Sequence, residues 1–315
     1  MVIGIDLGGM SAKAALLAGT KLEGKSRVVT SAEDPAEKTA VALAELAVQT
    51  AEKAGKSMDD VQAIGIGSPG FIDSARGVVV SWANFGWNNV PLGELVEKYT
   101  GKKTFVLNDA NAAALGEYKF GAGKDYSDSV LITLGTGVGS GIIIGGKLFE
   151  GFRGAGAELG HTVIRMNGEL CSCGRRGCFE RYAATSALIR LTRESMQKER
   201  GSAMWRFACT LDEADGRTAF LAAKEGDSAA KRVLDEYIGA LGEGIANVVN
   251  MLRPQAIIIG GGISAEGEAL LEPLRRVVRA RILVSEKDAP LALVCASLGN
   301  DAGLYGAAQY AFDRL

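Results

Sequence analysis

His161 is the only histidine in the chain, and ten residues after it begins the run Cys171-Ser172-Cys173-Gly174-Arg175-Arg176-Gly177-Cys178. Three of the five cysteines fall in that run. A structural zinc site takes four thiolate or imidazole ligands in a tetrahedron. His161, Cys171, Cys173 and Cys178 supply such a set, and Gly174 and Gly177 let the backbone wrap closely around a metal. The competing reading is a group of unrelated buried thiols. Free cysteines favour apolar surroundings, whereas these are flanked by Ser172, Arg175 and Arg176. The spacing predicts zinc. Cys209 and Cys295 sit among apolar residues and read as core packing.

A second chemistry is suggested by glycine, which supplies 42 of the 315 residues, about twice the usual share. Backbone N–H groups of a glycine turn can converge on an anion because no Cβ blocks the approach. Two such turns are Asp6-Leu7-Gly8-Gly9 and Gly135-Thr136-Gly137-Val138-Gly139-Ser140-Gly141. Neither is a dinucleotide fingerprint: Ser140 stands where the third glycine is needed, and Ile142-Ile143-Ile144 favours a strand over a helix. Nor is Gly141 to Lys147 a Walker loop, since Leu148 takes the position of the metal-binding hydroxyl. Two β-hairpins with glycine tips remain, each able to hold a phosphate. A third segment, Gly260-Gly261-Gly262, follows a buried strand and is expected to open a helix, where an anion is also welcome.

Asp109 is the third candidate centre. It follows Leu107-Asn108 at the end of an apolar strand and the start of a helix. Ligands of α/β sheets sit at such strand ends, but aspartate is also a common helix N-cap. On its own the position reads more readily as a cap.

These centres need elements to hold them. Strands are predicted over 2–6, 12–18, 61–67, 103–107, 129–149 (as a hairpin), 256–259 and 291–295. Helices are predicted over 34–55, 92–100, 109–120, 183–198, 215–225, 227–251, 264–283 and 300–314. Strands alternating with helices give a parallel-core α/β fold. Residues 2–19 and 129–150 share one plan, an apolar strand, a glycine turn and a second strand, so the chain reads as an internal duplication. Its length calls for two lobes, drawn at 1–116 plus 300–315 and at 117–299.

Composition narrows the function. Lysine and arginine number 35 against 37 acidic residues, which argues against a partner with a phosphate backbone. No apolar run is long enough for a membrane span. The strand-like opening VIGID is not a signal peptide, so a cytoplasmic protein is expected.

DLGG at the start, LGTGVGSG in mid-chain and GGG after a buried strand resemble the actin-like ATPase superfamily of sugar kinases. GAELGH followed by CxCGxxGC, with NDANAAALGE and LGNDAG, resembles the ROK family of sugar kinases and repressors along essentially the whole chain. The resemblance implies a two-lobed, ribonuclease H-like fold that clamps ATP between its hairpins. It makes Asp109 the catalytic base and places Asp6 near the metal–phosphate end, with magnesium. It implies sugar contacts from Gly70, Asn84, Asn108, Asp109, Glu158, His161 and Glu180, with zinc structural. Nucleotide contacts fall to Asp6, Gly8, Gly9, Ser11, Gly135, Thr136, Gly137, Gly260, Gly261 and Gly262. Met10 departs from the family's DLGGT, and Ser11 is the hydroxyl beside it. The implied reaction is ATP-dependent phosphorylation of a hexose at its 6-hydroxyl. Glucose is favoured by the stretch 183–190, with N-acetylmannosamine, N-acetylglucosamine, fructose or allose as alternatives and an inactive sugar sensor as another. A homodimer or higher homo-oligomer is implied. A repressor of the family would carry a winged helix ahead of the first hairpin.

Overall fold

The computed structural model describes residues 1–315. The chain opens with strands β1 (Val2–Leu7), β2 (Ser11–Ala18) and β3 (Lys21–Val29), then helix α1 (Ala36–Lys53). Strand β4 (Ala63–Ser68) leads into a small antiparallel sheet of β5 (Phe71–Asp73), β6 (Val78–Trp82) and β7 (Trp87–Val90). Helix α2 (Leu92–Thr100), strand β8 (Lys103–Asn108) and helix α3 (Asp109–Phe120) follow. The plan restarts with β9 (Ser129–Leu134), β10 (Val138–Ile144) and β11 (Lys147–Phe149). Helices α4 (Glu180–Ala183), α5 (Thr185–Lys198), α6 (Met204–Phe207), α7 (Thr218–Lys224) and α8 (Ser228–Leu252) come next. Strand β12 (Ala256–Gly260), helix α9 (Glu268–Arg279), strand β13 (Ala292–Cys295) and helix α10 (Ala302–Phe312) complete the chain.

The two large sheets repeat one topology. Their strand orders are β3-β2-β1-β4-β8 and β11-β10-β9-β12-β13. In the first, β1 runs antiparallel to β2 and parallel to β4, which is parallel to β8. In the second, β10 is antiparallel to β11 and β12 parallel to β13. The duplication read from the two hairpins therefore extends to whole sheets. Packing divides the chain into two compact units: Met1–Leu131 with Gly141–Ala157 and Ser297–Leu315, and Ile132–Ser140 with Glu158–Ala296.

The inner strands are apolar on both faces, as sheets covered by helices require. Ile3, Ile5, Leu7, Ile64 and Ile66 are fully buried. Helix α1 buries Leu43, Leu46, Ala47, Thr50 and Ala51, one stripe at helical spacing. The other face of the first sheet is covered by α10, which comes unusually close. A Cβ on Gly65 would collide with the Ala307 carbonyl, and one on Gly306 with that of Ala112 in α3. Glycine is needed there because backbone packs on backbone.

Two expectations need correction. The helix predicted over 264–283 is broken: Gly262–Glu266 is a short 3-10 turn, and α9 begins at Glu268 after Gly267, whose φ is +56°. Strands β3 and β5–β7 were not predicted. β3 is an edge strand whose charged residues Lys21, Glu23, Lys25 and Arg27 are all exposed and alternate with less exposed uncharged ones, and charge is how edges are kept from pairing further.

Gly306→Val is expected to cost about 3 kcal/mol, because the colliding atoms are backbone and cannot yield. Gly239→Ala, with nothing near its missing Cβ, should be close to neutral. Urea unfolding compares them; a loss below about 1 kcal/mol at Gly306 would show that α10 sits loosely.

Candidate active site

In the first unit the carboxyl ends of β1, β4 and β8 lie in register: Asp6 pairs with Gly67, and Ser68 with Asn108. Asp109 opens α3 directly after β8. It keeps part of its surface open to solvent, but its carboxyl is set deep in surrounding protein. That desolvation raises its pKa against the Ala110 amide, which donates to Oδ1 at 2.8 Å. Asp6 is pushed up to about 6, first by burial and then by repulsion from Asp109, with Lys13 pulling the other way. Lys13 is Asp6's register partner on β2. It was missed in the sequence, although hairpin pairing around Gly8-Gly9 could have found it.

The helix cap is Asn108, not Asp109. Asn108 Oδ1 accepts from the amides of Ala110 at 2.9 Å and Asn111 at 3.2 Å. Its Nδ2 donates to the Gly70 carbonyl at 3.2 Å, leaving one N–H for a ligand. Gly70 has φ +94°, and a Cβ there would collide with the Ser81 carbonyl. Its own hairpin therefore demands glycine, whatever ligand lies near. Asn84 is exposed on a 3-10 turn, Ala83–Phe85. The turn is braced by Trp82 stacked on Phe85 at 3.8 Å, with Trp87 edge-on to both.

The first glycine turn is closed by Gly8 N–H donating to the Ser11 carbonyl at 3.0 Å. Thr30 Oγ1 donates to the Gly8 carbonyl at 3.0 Å, and its amide to the Met10 carbonyl at 3.2 Å. The Met10 side chain is 83% exposed, so it has no packing role in the turn.

The second unit gathers the other predicted residues. Gly135 N–H donates to the Gly137 carbonyl at 3.0 Å, closing the second turn. Its outer carbonyls are taken from α5. Thr185 donates from its amide to Gly135 at 2.9 Å and from its hydroxyl to Leu134 at 3.1 Å, and Ser186 Oγ donates to Thr136 at 2.9 Å. Gly261, φ +87°, packs so closely on Leu134 that a Cβ would strike its carbonyl. The glycine segments 135–139 and 260–262 are thus neighbours. The second does not open an α-helix as expected but the short 3-10 turn, where Ser264 Oγ donates to the Gly261 carbonyl at 2.7 Å.

His161, Cys171, Cys173 and Cys178 converge, with all four ligand atoms within 4.8 Å of one another. Cys171 Sγ lies 3.7 Å from His161 Nδ1, and Cys173 Sγ 3.6 Å from Cys178 Sγ. Zinc–sulfur bonds of ~2.3 Å in a tetrahedron set ligands ~3.8 Å apart, so the set fits zinc. The loop is shaped by Cys171 N–H donating to the Arg175 carbonyl at 2.8 Å and by Gly177, φ +84°. Burial and the neighbouring thiols push the Cys178 thiol up to about 12, and a bound metal would displace that proton. Nδ1 faces the cysteines, which leaves Nε2 for another partner. Glu180 begins α4 beside this loop, while Glu158 is exposed ahead of the Leu159–His161 turn. The two cysteines read as core are not core: Cys209 is exposed in a turn and Cys295 half-buried.

The chain matches the ROK family model over residues 2–314. It belongs to the ROK family. A glucokinase of Thermotoga maritima is 39% identical over 100% of this chain and 98% of its own. The crystal structure of a ROK glucokinase from Streptomyces griseus in complex with glucose and AMPPNP superposes with a TM-score of 0.84, at 37% identity and 99% coverage of both chains. A xylose repressor of Caldicellulosiruptor bescii is 36% identical over 78% of this chain but only 61% of the repressor. The fold is the two-domain actin-like ATPase type, as the ROK resemblance implied. No helix is long and apolar enough to cross a membrane.

Metal analysis should give about one zinc per chain. Cys178→Ser should lower zinc content and thermal stability together, since structural zinc contributes to folding; full stability without metal would reduce the cluster to four ordinary residues.

Asp6 gives a pH prediction. A carboxyl whose folded pKa is raised favours the folded state below its unfolded pKa and loses that advantage as pH rises through about 6. Asp6→Asn should therefore stabilise the magnesium-free protein at pH 8, by at most about 3 kcal/mol, and leave it unchanged near pH 4. A gain that does not vary with pH would contradict the desolvation of Asp6.

Proposed function

We propose that the protein is an ATP-dependent glucokinase that phosphorylates glucose at its 6-hydroxyl. The observation that carries this is Asp109: a carboxylate at the joined ends of parallel strands, open enough to meet a ligand and buried enough to be a stronger base than a surface aspartate. Glucokinases of Thermotoga maritima and Streptomyces coelicolor match it over nearly their whole length, and the Streptomyces griseus enzyme holds glucose and an ATP analogue.

In this reading Asp109 orients the sugar hydroxyl and takes its proton as the oxygen bonds to the γ-phosphorus. The bond from that phosphorus to the bridging oxygen breaks, and ADP leaves. In the first unit, Asn84 and Asn108 are the proposed donors and acceptors for sugar hydroxyls, the Gly70 backbone is the proposed contact to the ring, and Asp6, Gly8, Gly9 and Ser11 are the proposed contacts to phosphate. In the second unit, Glu158, His161 Nε2 and Glu180 are the proposed sugar contacts, Gly135, Thr136 and Gly137 the proposed phosphate contacts, and Gly260, Gly261 and Gly262 the proposed adenosine contacts. Asp6 would hold magnesium through water, and the ion would neutralise charge on the transferring phosphoryl group. Zinc shapes the loop and fixes the His161 tautomer. A cytoplasmic homodimer completes the proposal, with neither nucleic acid nor membrane as partner.

The exposed Met10 in the phosphate turn favours one second reading, a sugar sensor without turnover. Matching lengths with the glucokinases weigh against it.

A coupled ADP-release assay across a sugar panel tests both. Asp109→Asn is expected to lose at least ~10²-fold in turnover while glucose binding stays within a few-fold. Near-normal turnover in that variant would overturn the role of Asp109, and glucose binding without any wild-type turnover would favour the sensor.

A further inference from the structure

Glu180 sits between two features so far treated as separate. Its Oε2 accepts the Val138 amide at 3.1 Å, inside the second glycine turn. Its Oε1 accepts from Cys171 Sγ at 3.7 Å, in the cysteine loop. The fit at the turn is close enough that a Cβ on Gly137 would collide with Oε2. A side chain at 137 would therefore have to displace the Glu180 carboxylate. The far side of the turn is fixed by Thr185 and Ser186 of α5, which leaves Glu180 as the adjustable tie.

We infer that Glu180 is a positioning residue that couples sugar occupancy to the shape of the nucleotide-binding turn. This rests on the proposal that Glu180 contacts the sugar and the turn contacts ATP. The two oxygens face different ways, Oε2 to the Val138 amide and Oε1 to the cysteine loop, so a sugar hydroxyl can donate to Oε1 while Oε2 keeps the turn. With Oε1 on the sugar and Oε2 on the Val138 amide, one carboxylate spans both substrates. A sugar that holds the carboxylate still also holds the Val138 amide still, so the turn is ordered before the nucleotide arrives. The cost of ordering it is then met once instead of twice, which is positive cooperativity. Coupling between binding sites is reciprocal, so ATP must tighten the sugar by the same factor.

The test measures the Kd of a non-hydrolysable ATP analogue by calorimetry on the zinc-loaded protein, with and without saturating glucose. The ratio of the two constants is the coupling factor, and it does not depend on the basal affinity of a variant. The wild type should give at least about fivefold, the lower end of usual couplings. Glu180→Asp keeps the charge but falls short by one methylene, and its factor should drop towards one. Gly137→Ala retains the Glu180 side chain but pushes its carboxylate off the Val138 amide; it should lose the coupling while glucose alone still binds within a few-fold. Zinc content measured on each variant confirms that the loop is intact. Wild-type factors in both variants would overturn the inference, as would a wild type that binds both ligands with no coupling. A wild type that binds no glucose would instead overturn the proposed function, and this inference with it.

Discussion

An ionised carboxylate in a poorly hydrated place is expensive, and the first unit is built around keeping two of them. Asp6 and Asp109 stand at the ends of buried parallel strands; burial disfavours the charge of both, and Asp109 adds to the cost at Asp6. The surroundings offset only part of this. Lys13 opposes Asp6 across the hairpin, and the Ala110 amide at the start of α3 donates to Asp109. Asn108 caps the same helix end, so the capping role does not fall on Asp109 and its carboxyl is not consumed by the fold. A carboxyl left under-compensated in this way marks a candidate for chemistry, which is the role proposed for Asp109.

The second unit solves a different problem with a different charge. Aligned on the first strand, its hairpin has Thr133 where the first has Asp6 and Thr136 where the first has Gly9, and no carboxylate stands in the turn. Glu180 arrives instead from outside, out of the loop that the cysteines shape. Two copies of one sheet plan thus differ at the tip in where the acid comes from. One carries its acid in the strand, and the other borrows it from an inserted loop. Borrowing makes the charge conditional on that loop, which a built-in aspartate is not.

What could be read from the sequence followed from how local each signal is. Strand β1, helix α1 and helix α3 were legible because a few successive residues carry the pattern: VIGID is apolar on both faces, and 109–120 is alanine-rich. The zinc set was legible because the three cysteines lie within one loop and only one histidine exists to join them. β3 and the β5–β7 sheet were not: β3 alternates charged residues with small or apolar ones and offers no apolar run, and β5–β7 are only three to five residues long. The link from Glu180 to Val138 spans 42 positions and leaves no trace in spacing. The glycine at 137 was noticed, but its reason was read as a phosphate when a side chain is also against it.

Glycine therefore has to be argued position by position. At Gly65 and Gly306 the missing side chain lets α10 lie on bare backbone, which is a matter of packing. At Gly70 it permits a turn with positive φ. At Gly137, as at Gly121 beside Glu117, it makes room for a carboxylate. The high glycine content suggested ligand-binding turns, yet most of the positions where a Cβ would collide meet carbonyl groups of the chain itself. The residues that carry chemistry are fewer, and they are marked by what else competes for the same space. At Gly137 that competitor is Glu180, so the phosphate turn and the acid beside it have to be understood as one constraint.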